Sequence, residues 1–125
     1  MLQSVNIEEY YLYRQKCRLL LEGPETRFAG FLDSMGNLIA GGFKDGIIPL
    51  NDESERRKLH IENVLRVKTQ QDFDYDLGQV EYTASRRRKC TTFTFDLGDK
   101  VLFVSTQPNV DIESTAQKII RICGV

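Results

Sequence analysis

The sequence predicts an α+β fold whose elements run helix, strand, strand, helix, three strands, helix. Three observations carry that prediction. Arg27 to Phe43, RFAGFLDSMGNLIAGGF, reads as two strands around a tight turn. Phe28, Phe31 and Leu32 on one side and Leu38, Ile39 and Phe43 on the other flank Asp33 to Asn37, where Gly36 and Asn37 tolerate the positive φ that a hairpin requires. Val101 to Ser105, VLFVS, is apolar on both faces, as expected of a central strand covered by helices on each side. Ile112, Ala116, Ile119, Ile120 and Cys123 form a clean helical stripe, with Lys118 and Arg121 near the C-terminal end, where cations suit the helix dipole.

A chain of 125 residues and 14.4 kDa is expected to form one domain, and a domain of this size buries roughly two thirds of its unfolded surface. With 41% hydrophobic and 28% charged residues and a net charge of -1, the composition is that of a soluble globular protein and provides no global attraction for nucleic acid or anionic lipid. Any such partner would be met by a local patch. No apolar run approaches the ~20 residues of a bilayer span, and MLQSVNIEEYY lacks the basic start and apolar middle of a signal peptide, so a cytoplasmic location is expected. Cys17, Cys90 and Cys123 are odd in number and have no CxxC spacing, which argues for plain buried or half-buried thiols rather than disulfides or a zinc site.

The first helix begins at Asn6, which can cap the first turn while Glu9 returns the bond, and it stops at Gly23-Pro24. Ile7, Tyr10, Tyr11, Tyr13, Cys17, Leu20 and Leu21 share a broad face expected to pack on the sheet, whereas Leu12 and Leu19 fall opposite. After the hairpin, Gly41-Gly42 suggests a bend or bulge, and Lys44-Asp-Gly46 turns the chain toward a second helix starting at Asn51 or Asp52 and running to about Thr69. Ile61, Val64 and Leu65 lie on one side of it and Leu59 and Val67 well round from them, an arc of roughly 240° at 100° per residue. One sheet face cannot cover that arc. The surplus points to a partner or to a helix sunk between the sheet and the loop of residues 70–78.

Within that loop, DFDYDLG (Asp72 to Gly78) alternates acid and aromatic residues. It is not a calcium loop, because Leu77 and Thr83 stand where glycine and glutamate are needed; it is expected to be a polar loop anchored by Phe73 and Tyr75. The strand from Gln79 to about Arg86 alternates Val80, Tyr82 and Ala84 with Glu81, Thr83 and Ser85, as an edge strand does. Cys90 to Leu97 points Phe93 and Phe95 one way and Thr92 and Thr94 the other. The last helix opens near Asn109 or Asp111.

Catalytic, cofactor-binding and metal-binding residues are not expected. His60, the sole histidine, sits beside Arg56, Arg57 and Lys58 without cysteine or acidic ligands at coordinating spacing and reads as a surface or interface residue. No serine lies in a nucleophile-elbow pattern, and Gly41 to Gly46 lacks the glycine-lysine-serine/threonine ending of a phosphate loop. Arg86-Arg87-Arg88-Lys89 is a concentrated basic run at a turn. It reads as a solvated turn, as a docking point for an acidic protein patch, or as an RNA contact assisted by Tyr82, Phe93 and Phe95.

The order of elements over residues 1–125 resembles the roadblock / dynein light chain group of the profilin-like fold. The hairpin Asp33-Ser-Met-Gly36-Asn37-Leu-Ile-Ala40 looks like that group's aspartate, glycine, apolar-apolar-alanine pair, and Val101 to Val104 with Asn109 opening the last helix is a second echo. The length and the SMGNLIAGGF hairpin are also similar to short archaeal proteins of unassigned function. The resemblance implies an α/β sandwich: a five-stranded antiparallel sheet with the first and last helices on one face and the second on the other. It also implies a homodimer joined through the second helix and the adjacent edge strand, serving as a platform or regulator for small Ras-like GTPases. The expected interface is Leu59, Ile61, Val64 and Leu65 of the helix with Val80, Tyr82 and Ala84 of the strand, and the candidate partner-binding cations are Arg56, Arg57, Arg86, Arg87 and Arg88. Rival readings are a small-molecule sensor of PAS or profilin-like type, with its ligand between sheet and second helix, and RNA binding at the basic turn.

Overall fold

The computed structural model describes residues 5–125; the first four residues of the stretch weighed above as a signal peptide lie outside the described residues. The elements are α1 (Ile7–Leu21), β1 (Thr26–Leu32), β2 (Leu38–Phe43), α2 (Glu53–Gln71), α3 (Asp74–Leu77), β3 (Thr83–Arg86), β4 (Thr91–Asp96), β5 (Val101–Thr106) and α4 (Ile112–Cys123). The strands form one antiparallel sheet in the order β2-β1-β5-β4-β3. As its two apolar faces require, β5 is central, and β3 is an edge.

The three long helices start where short polar side chains accept an otherwise unpaired N–H group. Oδ1 of Asn6, Asp52 and Asp111 accepts from Glu9, Glu55 and Ser114 respectively, each at 2.8 Å. The Glu9 carboxylate turns to the Tyr13 hydroxyl, which donates to it at 3.3 Å.

Alternation along the strands splits the core into two clusters. On one face Ala29, Phe31, Phe93, Phe95, Leu102 and Val104 pack against Cys17 and Leu20 of α1 and Ala116, Ile119 and Cys123 of α4. On the other, Phe28, Leu32, Val101 and Phe103 receive Val64 and Val67 of α2. The two buried thiols sit in the first cluster, where loss of hydration pushes Cys17 up to about 12 and Cys123 up to about 11, so both are protonated packing groups.

Four expectations are corrected. Ile7, Tyr10 and Tyr11 are exposed rather than packed on the sheet. The sheet-side cluster takes Tyr13, Cys17, Leu20 and Leu21, and Tyr10 instead lies against Tyr11 and beneath the Arg14 guanidinium. The segment 72–78 is not an anchored loop: it contains the short helix α3, and Phe73 before it and Tyr75 and Leu77 within it are exposed to solvent. The ladder of β3 begins at Thr83, four residues later than expected, so Val80 and Tyr82 precede it. His60, expected at the surface or at an interface, is buried within its own chain.

The tip of the β1-β2 hairpin holds α2 in place. Asp33 Oδ1 accepts the N–H groups of Met35 and Asn37, both at 2.9 Å, which closes the turn. Gly36 has a φ of 84°, and a Cβ there would lie 2.9 Å from the Ile61 side chain and 3.1 Å from its backbone. Only glycine lets α2 approach this closely. Lys68 adds a bond from its ammonium to the Ser34 carbonyl at 3.2 Å.

Candidate functional site

The wide apolar arc of α2 separates into three functions once the helix is on the sheet. His60, Asn63, Val64 and Val67 face the core. Leu59 and Ile61 cover its two flanks, Leu59 toward Cys90 and Thr92 and Ile61 against the hairpin tip. Leu65 alone of the apolar set faces outward, at 57% exposure. Val64, expected at a dimer interface, is instead 3% exposed and belongs to the α2-sheet core of its own chain. The outward surface is otherwise polar, with Glu62 paired to Arg66 at 2.7 Å and Glu55 to Lys58 at 3.5 Å.

Beside α2 runs β3, paired to β4 on one side and open on the other. An open edge presents unpaired N–H and C=O groups. Side chains of β3 and of the residue before it are already committed to their own chain: Tyr82 and Ala84 lean on the α4-side cluster, the Tyr82 hydroxyl donates to Glu113, and Thr83 exchanges hydrogen bonds with Gln70 of α2. What β3 offers a partner is its backbone.

The five candidate cations divide similarly. Arg86 is a tie within the chain, donating to the carbonyls of Pro108 and Val110 and so fastening β3 to the loop before α4. Arg56 lies over the Phe43 ring at 5.3 Å, and Arg57 donates to Asn37 Oδ1 at 3.2 Å. Arg87 and Arg88, with Lys89, stand exposed at the β3-β4 turn, and none of the three takes part in an ion pair among the described residues. They form one wall of a groove of about 610 Å³ whose other side is Leu50, Asn51 and the Glu55–Glu62 stretch of α2. Of the three aromatic rings expected to stack on RNA, Phe93 and Phe95 are buried in the core, and the Tyr82 hydroxyl is engaged by Glu113.

His60 lies between sheet and helix, with its ring centroid 5.6 Å from those of both Phe28 and Phe103. Burial, assisted by the nearby Arg56 guanidinium, holds its pKa below the usual value of 6.5. The cavity it lines, with Phe43, Leu50 and Leu59, has a volume of about 70 Å³, far below the ~300–1,000 Å³ of ordinary small-molecule sites. The charged imidazolium is favoured by unfolding, so stability is full above about pH 6.5 and falls as the pH drops through that value toward the lower folded pKa. We expect the urea midpoint to fall between pH 7.5 and pH 5. In His60→Phe, which keeps an aromatic ring against Phe28 and Phe103, that slope should be visibly reduced; an unchanged slope would exclude His60 as its source.

Sequence reasoning missed Phe73, Tyr75 and Leu77, which are 55%, 100% and 79% exposed. The acid-aromatic alternation was the available signal. A strand would bury one set and a loop would anchor them, whereas one turn of helix, as here, disperses them into solvent. Among the described residues no group of three or more His, Cys, Asp and Glu side chains is placed to hold a metal ion, and no helix is long and apolar enough to cross a membrane.

The fold is that of roadblock/LC7 domains. MglB of Myxococcus xanthus is similar over 98% of this chain and 90% of its own, with a TM-score of 0.73 and 14% identity. The gliding protein MglB of Thermus thermophilus matches over 98% and 96%, with a TM-score of 0.67 and 12% identity, and a roadblock/LC7 domain from Streptomyces avermitilis over 89% and 91%, with 0.66 and 12%. At such identities the likeness establishes architecture alone. No curated protein matches the sequence. A family model does, over residues 2–125, and the chain therefore belongs to DUF6659, a family of unknown function.

Proposed function

We propose that this chain is a non-enzymatic protein-interaction module that pairs with a second copy along α2 and β3, the pair serving as a scaffold or regulator for a small Ras-like GTPase. The observation that carries the reading is the open backbone edge of β3, together with the outward Leu65 of α2, on a roadblock/LC7 framework. Antiparallel addition of one β3 to another satisfies the free edge groups and extends the five-stranded sheet to ten strands across a two-fold axis. Leu59, Ile61, Val80, Tyr82 and Ala84 then support the contact from their own chains, with Leu65 at its surface. An arrangement of more than one copy is described for MglB, which occurs as a tetramer in one structure. The GTPase role follows the roadblock resemblance of the hairpin and element order.

Light scattering across a concentration series tests the pairing. We expect a molar mass near twice 14.4 kDa for the wild type and a fall toward one copy in Leu65→Asp, whose exposed position leaves folding intact. A wild-type monomer at all concentrations would remove the pairing. For the partner, immobilised protein should retain a small GTPase from extract in one nucleotide state and release it in the other. Retention independent of nucleotide would count against the GTPase role.

A further inference from the structure

We propose that the segment Asp72–Leu77 of one copy docks into the groove between α2 and the β3-β4 turn of the second copy, and reciprocally. The inference rests on the two-copy reading above and names the contact that would close it. The segment, DFDYDL, carries three carboxylates and leaves Phe73, Tyr75 and Leu77 all exposed. So much apolar surface on six residues is unusual for a surface segment and marks one that is covered in use. No ion pair among the described residues engages Asp72, Asp74 or Asp76.

The groove is the chemical complement of that segment. Leu50, half-exposed, and Leu59 supply an apolar floor, and Arg87, Arg88 and Lys89 supply a cationic wall with no acid paired to it. The acids on the opposite wall are already neutralised along α2, Glu55 by Lys58 and Glu62 by Arg66. The net field in the groove is therefore positive, and an acidic segment with aromatic anchors fits it better than either a purely apolar peptide or a bare anion.

The segment cannot reach the groove of its own chain. Gln71 donates to the Asp96 carboxylate at 3.0 Å, and Gln70 to Thr83 at 3.1 Å, which pins the α3 end of the molecule to the start of β3 and the far end of β4. The basic turn lies at the other end, where the Arg87 N–H donates to the Cys90 carbonyl. The six residues of β4 separate the two ends by ~17–20 Å. Two-fold pairing removes that separation. Along α2 the groove lies at the N-terminal half and α3 beyond the C-terminus, and along β3 the segment precedes the strand while the basic turn follows it. A two-fold axis between antiparallel β3 edges reverses both elements at once, so it brings each copy's acidic segment to its partner's basic turn. The contact is isologous and closes without propagating.

The test is a charge exchange read by sedimentation velocity. Arg87→Glu/Arg88→Glu places like charges against the partner's Asp74 and Asp76, and Asp74→Lys/Asp76→Lys does the same against Arg87 and Arg88. We expect each variant alone to self-associate at least about tenfold more weakly than the wild type, because like charges opposed across an interface are strongly unfavourable. An equimolar mixture of the two variants should recover association as a heterodimer, since one of its two reciprocal contacts then joins the exchanged charges and the other the native ones. Wild-type affinity in both variants would overturn the docking and leave the pairing intact. Weakened variants that the mixture does not rescue would also overturn it, because the two patches would then not be each other's partners. A wild type that never associates would overturn the pairing and the docking together.

Discussion

Gly41→Ala is expected to lose about 3 kcal/mol or more of stability, whereas Gly42→Ala, one residue on, should stay within ~0.5 kcal/mol of the wild type. The two glycines share a strand and a composition signal, and their surroundings are opposite. Gly41 has a φ of 111°, and a Cβ built there would sit 2.1 Å from the Ala29 carbonyl oxygen and 2.7 Å from Gly30 Cα. Those atoms belong to the backbone of β1, directly across the Gly30↔Gly41 pair, so no side-chain rotation relieves the overlap. The strand must move, and with it the pairing of β1 with β2. At Gly42 the φ is ordinary and a Cβ meets nothing within 4 Å, and alanine also restricts the unfolded chain slightly. Urea unfolding of both variants decides the matter. Equal losses would mean that the two positions act only as weak strand formers.

Phe31→Ala is expected to cost ~3–5 kcal/mol, a large share of the 5–15 kcal/mol of a typical domain, and to lower Tm by roughly 10–20 °C. Phe31 is 1% exposed, lies in the α1-α4 cluster, and stacks on Tyr13 with ring centroids 4.2 Å apart and planes at 17°. Its loss opens a cavity between α1 and β1, beside the central strand, where β1 and β5 cannot close up without breaking their ladder. Tyr13→Phe is the informative control. Among the described residues the Tyr13 hydroxyl makes only the long bond to Glu9, so this variant keeps the stacked ring and should unfold within ~0.5 kcal/mol of the wild type. A matching loss in both would show that the hydroxyl, and not the ring packing, fastens α1 to the sheet.

Much of this architecture is legible in the residues because it depends on short-range rules. The hairpin at Asp33 to Asn37, the cap at Asn6, the alternation of Phe93 and Phe95 with Thr92 and Thr94, and the two apolar faces of Val101 to Val104 each follow from local pattern, and each is present in the fold; of the alternatives Asn51 or Asp52 and Asn109 or Asp111, the structure selects Asp52 and Asp111 as caps. The candidate site was less legible. Leu59, Ile61, Val64 and Leu65 are equivalent in composition, yet one is core, two seal flanks and one faces outward. The four cations of Arg86 to Lys89 are likewise uniform in sequence, and only the proximity of the Pro108 and Val110 carbonyls removes Arg86 from the accessible set.

By itself the sequence determined the order of elements, the central place of Val101 to Ser105, the edge character of the strand ending at Arg86, and the resemblance to roadblock domains. These are set by residue periodicity over a few neighbours. The tertiary structure alone decided which arc of α2 is spent on the sheet, that His60 lies buried between Phe28 and Phe103, and that Phe73, Tyr75 and Leu77 are left in solvent at the opposite end of β4 from the basic turn. The reason is that burial and opposition of charge are properties of distance in space. Periodicity gives each element a face, and packing determines what that face meets.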